Sequence, residues 1–413
     1  MIKEGNVTST KLKGHQGPVL CLAHSGTNTS GVSTASQSSA AASLLSGSED
    51  STSRVWDLRS NCVRASLCIK APGAVLSVSF GPRWTDPSDS IARDGPSQVR
   101  RDYSVFLSVG NSVLGYDLRY ASSPVIVEPS VDLSNVLESA DEINQIAFSP
   151  PRRQRSLHLA AADDAGCVRV TDAFALSSTS SKNHRILHHG ISETNMAMVT
   201  SVNFRPHCKH LELASGGTDC TVKLWDVMKP KHPISSHLIA NSDAGANQVC
   251  NPPMVHTMAW SPSGRLLVAG LGDGSCCIFG VENRSLIPVS RLVDAHSGSI
   301  ASVLFPAWRQ DQAHVAANDR LMVTTGNDGE IAFWDLGDML CAEGALNPLD
   351  ILNLGESTLE NLCLSDQPKV LSAIPHGRKP NWMVTSLHDP IFPTTVFIAD
   401  TSNEITAYQM PTR

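Results

Sequence analysis

The chain has 413 residues, a net charge of −7 and 41% apolar residues, enough for a packed interior and a poor match to the clustered Lys and Arg of a duplex-binding surface. No stretch approaches the roughly 18 apolar residues of a membrane helix, and Met1 to Asn6 hold no apolar secretory core. Eleven Cys, an odd number without paired metal spacing, suggest reduced thiols in a cytosolic or nuclear protein and no structural metal.

In chain order, 7–13 stands just before Gly14-His15 and belongs to no unit of its own. The first unit ends in Val55-Trp56-Asp57 and contains a Ser/Thr/Ala/Gly insertion at about 25–43, too small and polar to pack. The second ends in Tyr116-Asp117 after a Pro-containing insertion at about 81–102, and the third has Val170 in the aromatic slot. In the fourth, Val199-Thr200-Ser201-Val202-Asn203-Phe204, 211–215 and Thr221-Val222-Lys223-Leu224-Trp225 read as three short strands, with Gly216-Gly217-Thr218-Asp219 as a hairpin turn. The fifth turns at Gly272-Asp273-Gly274 and places Phe279 in the slot. The sixth carries an insertion at about 307–320, turns at Gly326-Asn327-Asp328-Gly329 and ends in Phe333-Trp334-Asp335. After a linker at about 337–373, the seventh supplies only three strands, 381–386, 395–399 and 405–409, with Tyr408 in the slot.

The slots recur roughly every 55 residues through the sixth, and self-similarity at a fixed period means stacked copies of one small sheet, each burying its faces against its neighbours. The fold expected is all-β: a single seven-bladed propeller over 1–413, with 7–13 supplying the strand missing from the seventh sheet and closing the ring. The three insertions join the first two strands of their units and are expected to project from one face.

The endings at Trp56, Trp225 and Trp334, each with an Asp six positions earlier, at Asp50, Asp219 and Asp328, resemble the WD40 family. In that family the Trp, the turn Asp, a hydroxyl and a His form a hydrogen-bond chain that ties strands together. The resemblance assigns this structural network to His15, Ser46 and Asp50 in the first unit, to His189, Ser215, Asp219 and Trp225 in the fourth, and to His296, Thr324, Asp328 and Trp334 in the sixth. Each set imitates a hydroxyl–imidazole–carboxylate triad, but a catalytic site needs one nucleophile and an oxyanion hole, so recurrence around a ring argues for structure. His207, Cys208 and His210 lack a second ligand pair at finger spacing, no glycine loop cradles phosphate, and Arg152-Arg153-Gln154-Arg155 reads as a solvated loop. No catalytic residue, cofactor or metal is expected.

Recognition remains, and the first two units add a sharper feature. Trp56-Asp57-Leu58-Arg59 and Tyr116-Asp117-Leu118-Arg119 both carry Asp-x-Arg. The pair resembles the docking box of WD40 substrate receptors that bind the damage-specific DNA-binding protein 1 adaptor of cullin-4 ubiquitin ligases. That resemblance gives Arg59 and Arg119 the docking contacts, with Asp57 and Asp117 orienting the guanidinium forks and Trp56 and Tyr116 behind them. It implies a non-enzymatic receptor in the nucleus or cytoplasm, monomeric apart from the complex, with a protein substrate that the sequence does not name. The alternative is a scaffold of another nuclear or cytosolic assembly.

Overall fold

The computed structural model describes residues 7–25, 43–58, 65–81, 104–118, 123–150, 157–172, 184–190, 197–241, 252–306, 319–336, 368–386 and 395–410. Most of the expected insertions and the linker lie outside the described residues, as do Arg152 to Arg155, Arg59 and Arg119. Edges of these segments do lie within them: Ser25 and Ser43, the latter opening the strand Ser43–Ser48, Gly81, Asp319 and Arg320, and residues 368–373. Asp319, at the end of the expected 307–320 insertion, is fully buried and accepts hydrogen bonds from the Ser263 N–H, at 3.0 Å, and its hydroxyl. Residues 369–373, expected as the last part of the linker, belong to a strand, Lys369–Pro375.

The strands form seven sheets. Blade 1 runs Val19–His24, Ser43–Ser48, Thr52–Asp57 and Ala65–Lys70; blade 4 runs Val199–Phe204, Glu212–Gly217, Thr221–Asp226 and Ser235–Leu238; the others repeat this up-and-down order from the channel outward. Three strands per unit were legible as alternating runs, but each blade also has a fourth, outer strand. These are short or largely exposed, as in blade 4, and so carry little hydrophobic period. Thr8–Lys13 pairs antiparallel with Glu404–Gln409, from Thr8 opposite Gln409 to Lys13 opposite Glu404, and completes the seventh sheet. Lys11 and Lys13 both reach Glu404, each at 2.9 Å.

Packing lies between blades. Leu213 and Trp225 of blade 4 join Ala160, Val168 and Leu187 of blade 3 in one buried cluster, and Trp56 joins Phe397 and Ala399 of blade 7. The slot side chains therefore face the preceding blade. In blade 3 this identifies the slot as Thr171, which pairs with Leu159 as Trp56 pairs with Leu44. Val170 is one residue off and packs toward blade 4, because a one-residue shift in a strand reverses the face.

Each innermost strand of blades 1 and 3 to 7 has a register shift at its second residue. Such bulges re-aim a side chain. Three of these residues clasp the next blade: Asn144 donates to the Val199 carbonyl at 3.0 Å, Thr200 to Val255 at 2.5 Å and Asn381 to Val19 at 2.8 Å. Close approach also demands glycine at Gly216, where a Cβ would lie 2.4 Å from Val255 Cγ1 of the next blade.

Candidate functional site

Two rims are available for recognition. One holds the turns between second and third strands, with Asp50, Asp219 and Asp328; the other holds the far ends of the third strands, with Asp57 and Asp117.

On the first rim, the polar residues of blade 1 make a directed chain. The Trp56 indole N–H donates to Ser46 Oγ at 2.9 Å, Ser46 lies 2.7 Å from His15 Nε2, and His15 Nδ1 lies 3.2 Å from Asp50 Oδ2. Asp50 also accepts from the Thr52 hydroxyl at 2.5 Å and the Gln16 N–H at 2.7 Å. Burial lowers the His15 pKa to about 4, against the opposing pull of Asp50, so the ring is neutral at pH 7, donates from Nδ1 and accepts at Nε2. Burial pushes the Asp50 carboxyl up, but the bonds from Thr52, Gln16 and His15 outweigh it and hold it below the usual range.

Blade 4 repeats the chain with the ring nitrogens exchanged. Trp225 donates to Ser215 at 2.7 Å, Ser215 lies 2.6 Å from His189 Nδ1, and His189 Nε2 lies 3.3 Å from Asp219. Burial lowers the His189 pKa. Asp219, raised by burial but lowered further by His189 and Thr221, stands at about 2. In blade 6, Trp334 donates to Thr324 at 2.9 Å, Thr324 lies 2.8 Å from His296 Nε2, and His296 Nδ1 lies 3.0 Å from Asp328.

Blade 7 holds a fourth network that sequence reasoning missed. His376 lies 2.8 Å from the Tyr408 hydroxyl and 2.9 Å from Asp400 Oδ2. The Asp closes the second strand instead of standing at Ser402, the residue aligned with the turn Asp, and the Tyr supplies both ring and hydroxyl; the one available signal was Tyr408 itself. In blades 3 and 5 the carboxylate is met by arginine, at Asp163, which like Asp400 closes the second strand, and at the turn Asp273. Arg169 donates to Asp163 at 3.1 Å, and Arg291 to Asp273 at 2.6 Å.

These geometries bear on the triad resemblance. Ser46, Ser215 and Thr324 are fully buried, and each hydroxyl oxygen already accepts an indole N–H. Such a hydroxyl has no open side from which to attack a substrate, because a nucleophile must reach the reacting carbon. Among the described residues no group of three His, Cys, Asp or Glu is placed to hold a metal. Cys208 instead lies 2.8 Å from the His210 carbonyl and 3.3 Å from that of Arg205.

On the second rim, Trp56 and Tyr116 are buried, Asp117 is nearly so, and Asp57 is half-buried. The equivalent aspartates of blades 4 and 6 are gripped by arginines from elsewhere, Asp226 by Arg284 at 2.7 Å and Asp335 by Arg320 in a two-pronged contact at 2.6 and 2.8 Å. The end of a third strand is thus a place where a carboxylate holds a guanidinium. Within the channel, a cavity of about 80 Å³ is lined by Gln145, Asn203, Met258, Ser302, Trp382 and Met383, among others. No helix of the described residues is long and apolar enough to cross a membrane.

The sequence profile of the WD domain, G-beta repeat, matches residues 6–57, 182–226 and 249–279. Along almost its whole length the chain is similar to the WD repeat-containing protein 53 homolog of Dictyostelium discoideum, at 24% identity over 97% of this chain and 94% of that protein. Shorter similarity joins it to the WD repeat-containing protein VIP3 of Arabidopsis thaliana, 30% identical over 28% of this chain and 35% of that protein. Among solved structures, the β-propeller domain of Cps50 (Swd1) from Myceliophteria thermophila superposes with a TM-score of 0.62 and 14% identity, covering 98% of this chain and 99% of that one. The chain thus carries WD40 repeats over the matched residues and folds as a seven-bladed β-propeller whose last blade is completed by Thr8–Lys13.

Proposed function

We propose that this protein is a non-enzymatic substrate receptor, which docks on the damage-specific DNA-binding protein 1 adaptor of a cullin-4 ubiquitin ligase through Arg59 and Arg119 and presents a protein substrate on another surface. The observation that carries the reading is the pair of Asp-x-Arg boxes at the ends of the third strands of two adjacent blades. A planar guanidinium there makes bidentate bonds to carboxylates or carbonyls that a lysine ammonium does not. The grip of Arg284 on Asp226 and of Arg320 on Asp335 supports the pairing chemistry at equivalent strand ends. Near full-length similarity to a WD repeat-containing protein 53 homolog fits the same role.

The receptor itself performs no chemistry. Holding the substrate beside a charged conjugating enzyme raises its effective concentration, and that accelerates transfer. Such a protein works in the nucleus or cytoplasm, as a monomer apart from its complex. The test is recovery of the adaptor and cullin-4 from cells with tagged wild type and with an Arg59→Ala/Arg119→Ala variant of equal thermal stability. Recovery with wild type and loss with the variant is expected; no adaptor with wild type, or equal recovery from both, removes the reading.

A further inference from the structure

Among the described residues, only the first sheet has a fifth strand. Val125–Ile126 lies parallel to the outer strand of blade 1, with Cys68 opposite Val125 and Ile69 opposite Ile126. It does not come from blade 1. It lies between the third strand of blade 2, Ser112–Asp117, and the outer strand Val131–Asp132, and Ser130 just before that outer strand accepts the Asp117 N–H on its hydroxyl at 2.9 Å.

The crossing is anchored at both ends. The Cys68 N–H donates to the Pro124 carbonyl at 2.8 Å, and Ile126 packs with Leu67 and Leu118 on the buried cluster between blades 1 and 2. Blade 2 retains only a two-residue outer strand, Val131–Asp132, so part of this connection serves the neighbouring blade instead. A parallel strand cannot arise from a tight turn and requires a deliberate crossover. The segments that follow Asp57 and Asp117 re-enter the described fold at Ala65 and Ser123, and the strands just beyond those points are joined by this ladder.

We propose that residues 124–126 are a clip that couples the connection after Asp57 to the connection after Asp117, so that the two Asp-x-Arg boxes meet the adaptor as one surface; this rests on the docking reading above. Ile126 is then a positioning residue. Joining the two boxes lowers the ordering cost that each would meet separately on binding.

The test uses the full chain and two readouts, hydrogen–deuterium exchange and adaptor recovery from cells. Ile126→Pro deletes an N–H and the packed side chain, Ile126→Ala deletes only the packing, and Ile126→Val is the conservative control. In Ile126→Pro, peptides covering 58–67 and 118–127 are both expected to exchange about tenfold faster while 199–226 is unchanged, and adaptor recovery is expected to fall about tenfold with both arginines present. Ile126→Ala falls between, and Ile126→Val matches wild type. Unchanged exchange over 58–67, or full adaptor recovery by Ile126→Pro, overturns the clip. Coupled exchange in a protein that recovers no adaptor even as wild type upholds the clip and removes the docking reading instead.

Discussion

Blades 4 and 5 sit side by side and close the same turn on an aspartate, yet they satisfy it with different partners. Asp219 takes its bonds from Thr221 and from His189, which passes through Ser215 to Trp225 and so ties the turn to the neighbouring strands. Asp273 takes them from Ser275 and from Arg291, whose other nitrogen reaches the Ala240 carbonyl at 2.6 Å. Phe279 fills the aromatic slot with no polar atom to satisfy. The hydroxyl two residues after the aspartate is common to both, as an Asx-type turn requires. What varies is whether the remaining charge is met by a buried neutral imidazole or by a partly exposed guanidinium, and that difference sets how much each turn depends on its partner.

The largest expected effect tests what the two blades share. Trp225→Ala and Phe279→Ala each remove a buried ring and should each cost about 3–5 kcal/mol in urea unfolding; a small cost at Phe279 would show that blade 5 leans on its polar turn instead. Next comes pH. His15 stands at about 4 when folded and near 6.5 when unfolded, so between those values the unfolded chain binds a proton that the folded chain refuses. Stability should therefore fall as pH drops from 6.5 toward 4, by roughly 3 kcal/mol for His15, with His189 adding in the same direction. His15→Gln should flatten the decline in a pH series of melts, and an unchanged slope would show that the ring is not excluded from protonation.

The direct contrast is smaller. Asp219→Ala leaves the Nε2 of a buried imidazole with only the Thr221 hydroxyl, at 3.1 Å, and should cost about 2 kcal/mol, whereas Asp273→Ala frees a solvent-reaching arginine and should cost about 1 kcal/mol. Equal losses would erase the distinction between the two blades. Smallest is a pair of hydroxyl deletions. Among the described residues the buried Tyr116 hydroxyl has no hydrogen-bond partner, so Tyr116→Phe should be neutral or stabilising by about 1 kcal/mol, while Tyr408→Phe breaks the bond to His376 and should cost about 1 kcal/mol. Melting temperatures of the two variants decide it, and parallel shifts would count against the assignment.

The same contrast explains how much was legible in the sequence. Blades 1, 4 and 6 announce themselves because Trp, hydroxyl, His and Asp are all chemically distinctive and fall at fixed offsets. Blade 3 misled by one residue because Val170 and Thr171 are both small and both buried; only strand register separates them. In blade 7 one tyrosine replaces two residues of the chain, so no motif survives to be matched. The outer strands of blades 1 to 6 and the Val125–Ile126 crossing were missed for another reason, whereas 7–13 was expected as the outer strand of blade 7. The outer strands are short or largely exposed, so they carry little hydrophobic period, and Val125–Ile126 takes its partner from the neighbouring blade rather than from its own pattern. For the candidate site, the buried halves of the boxes lie at the strand ends where the repeat places them, whereas docking itself is a property of a partner.

The pairing of Thr8–Lys13 with Glu404–Gln409 joins residues about 400 positions apart, as in the bond between Thr8 and Gln409. During synthesis Thr8–Lys13 emerges about 400 residues before its partner strand and waits, with no edge to join, until the last blade has left the ribosome. The entropic cost of closing so long a span grows only as the logarithm of its length, so the delay is one of time more than of free energy. Until then the nascent chain carries an unpaired strand before blade 1 and, as blade 7 forms, an open sheet, each able to find the matching half of another copy. Pairing of Thr8–Lys13 with the last blade, rather than collapse of any single blade, is the step at which this ring becomes safe from exchange with its neighbours.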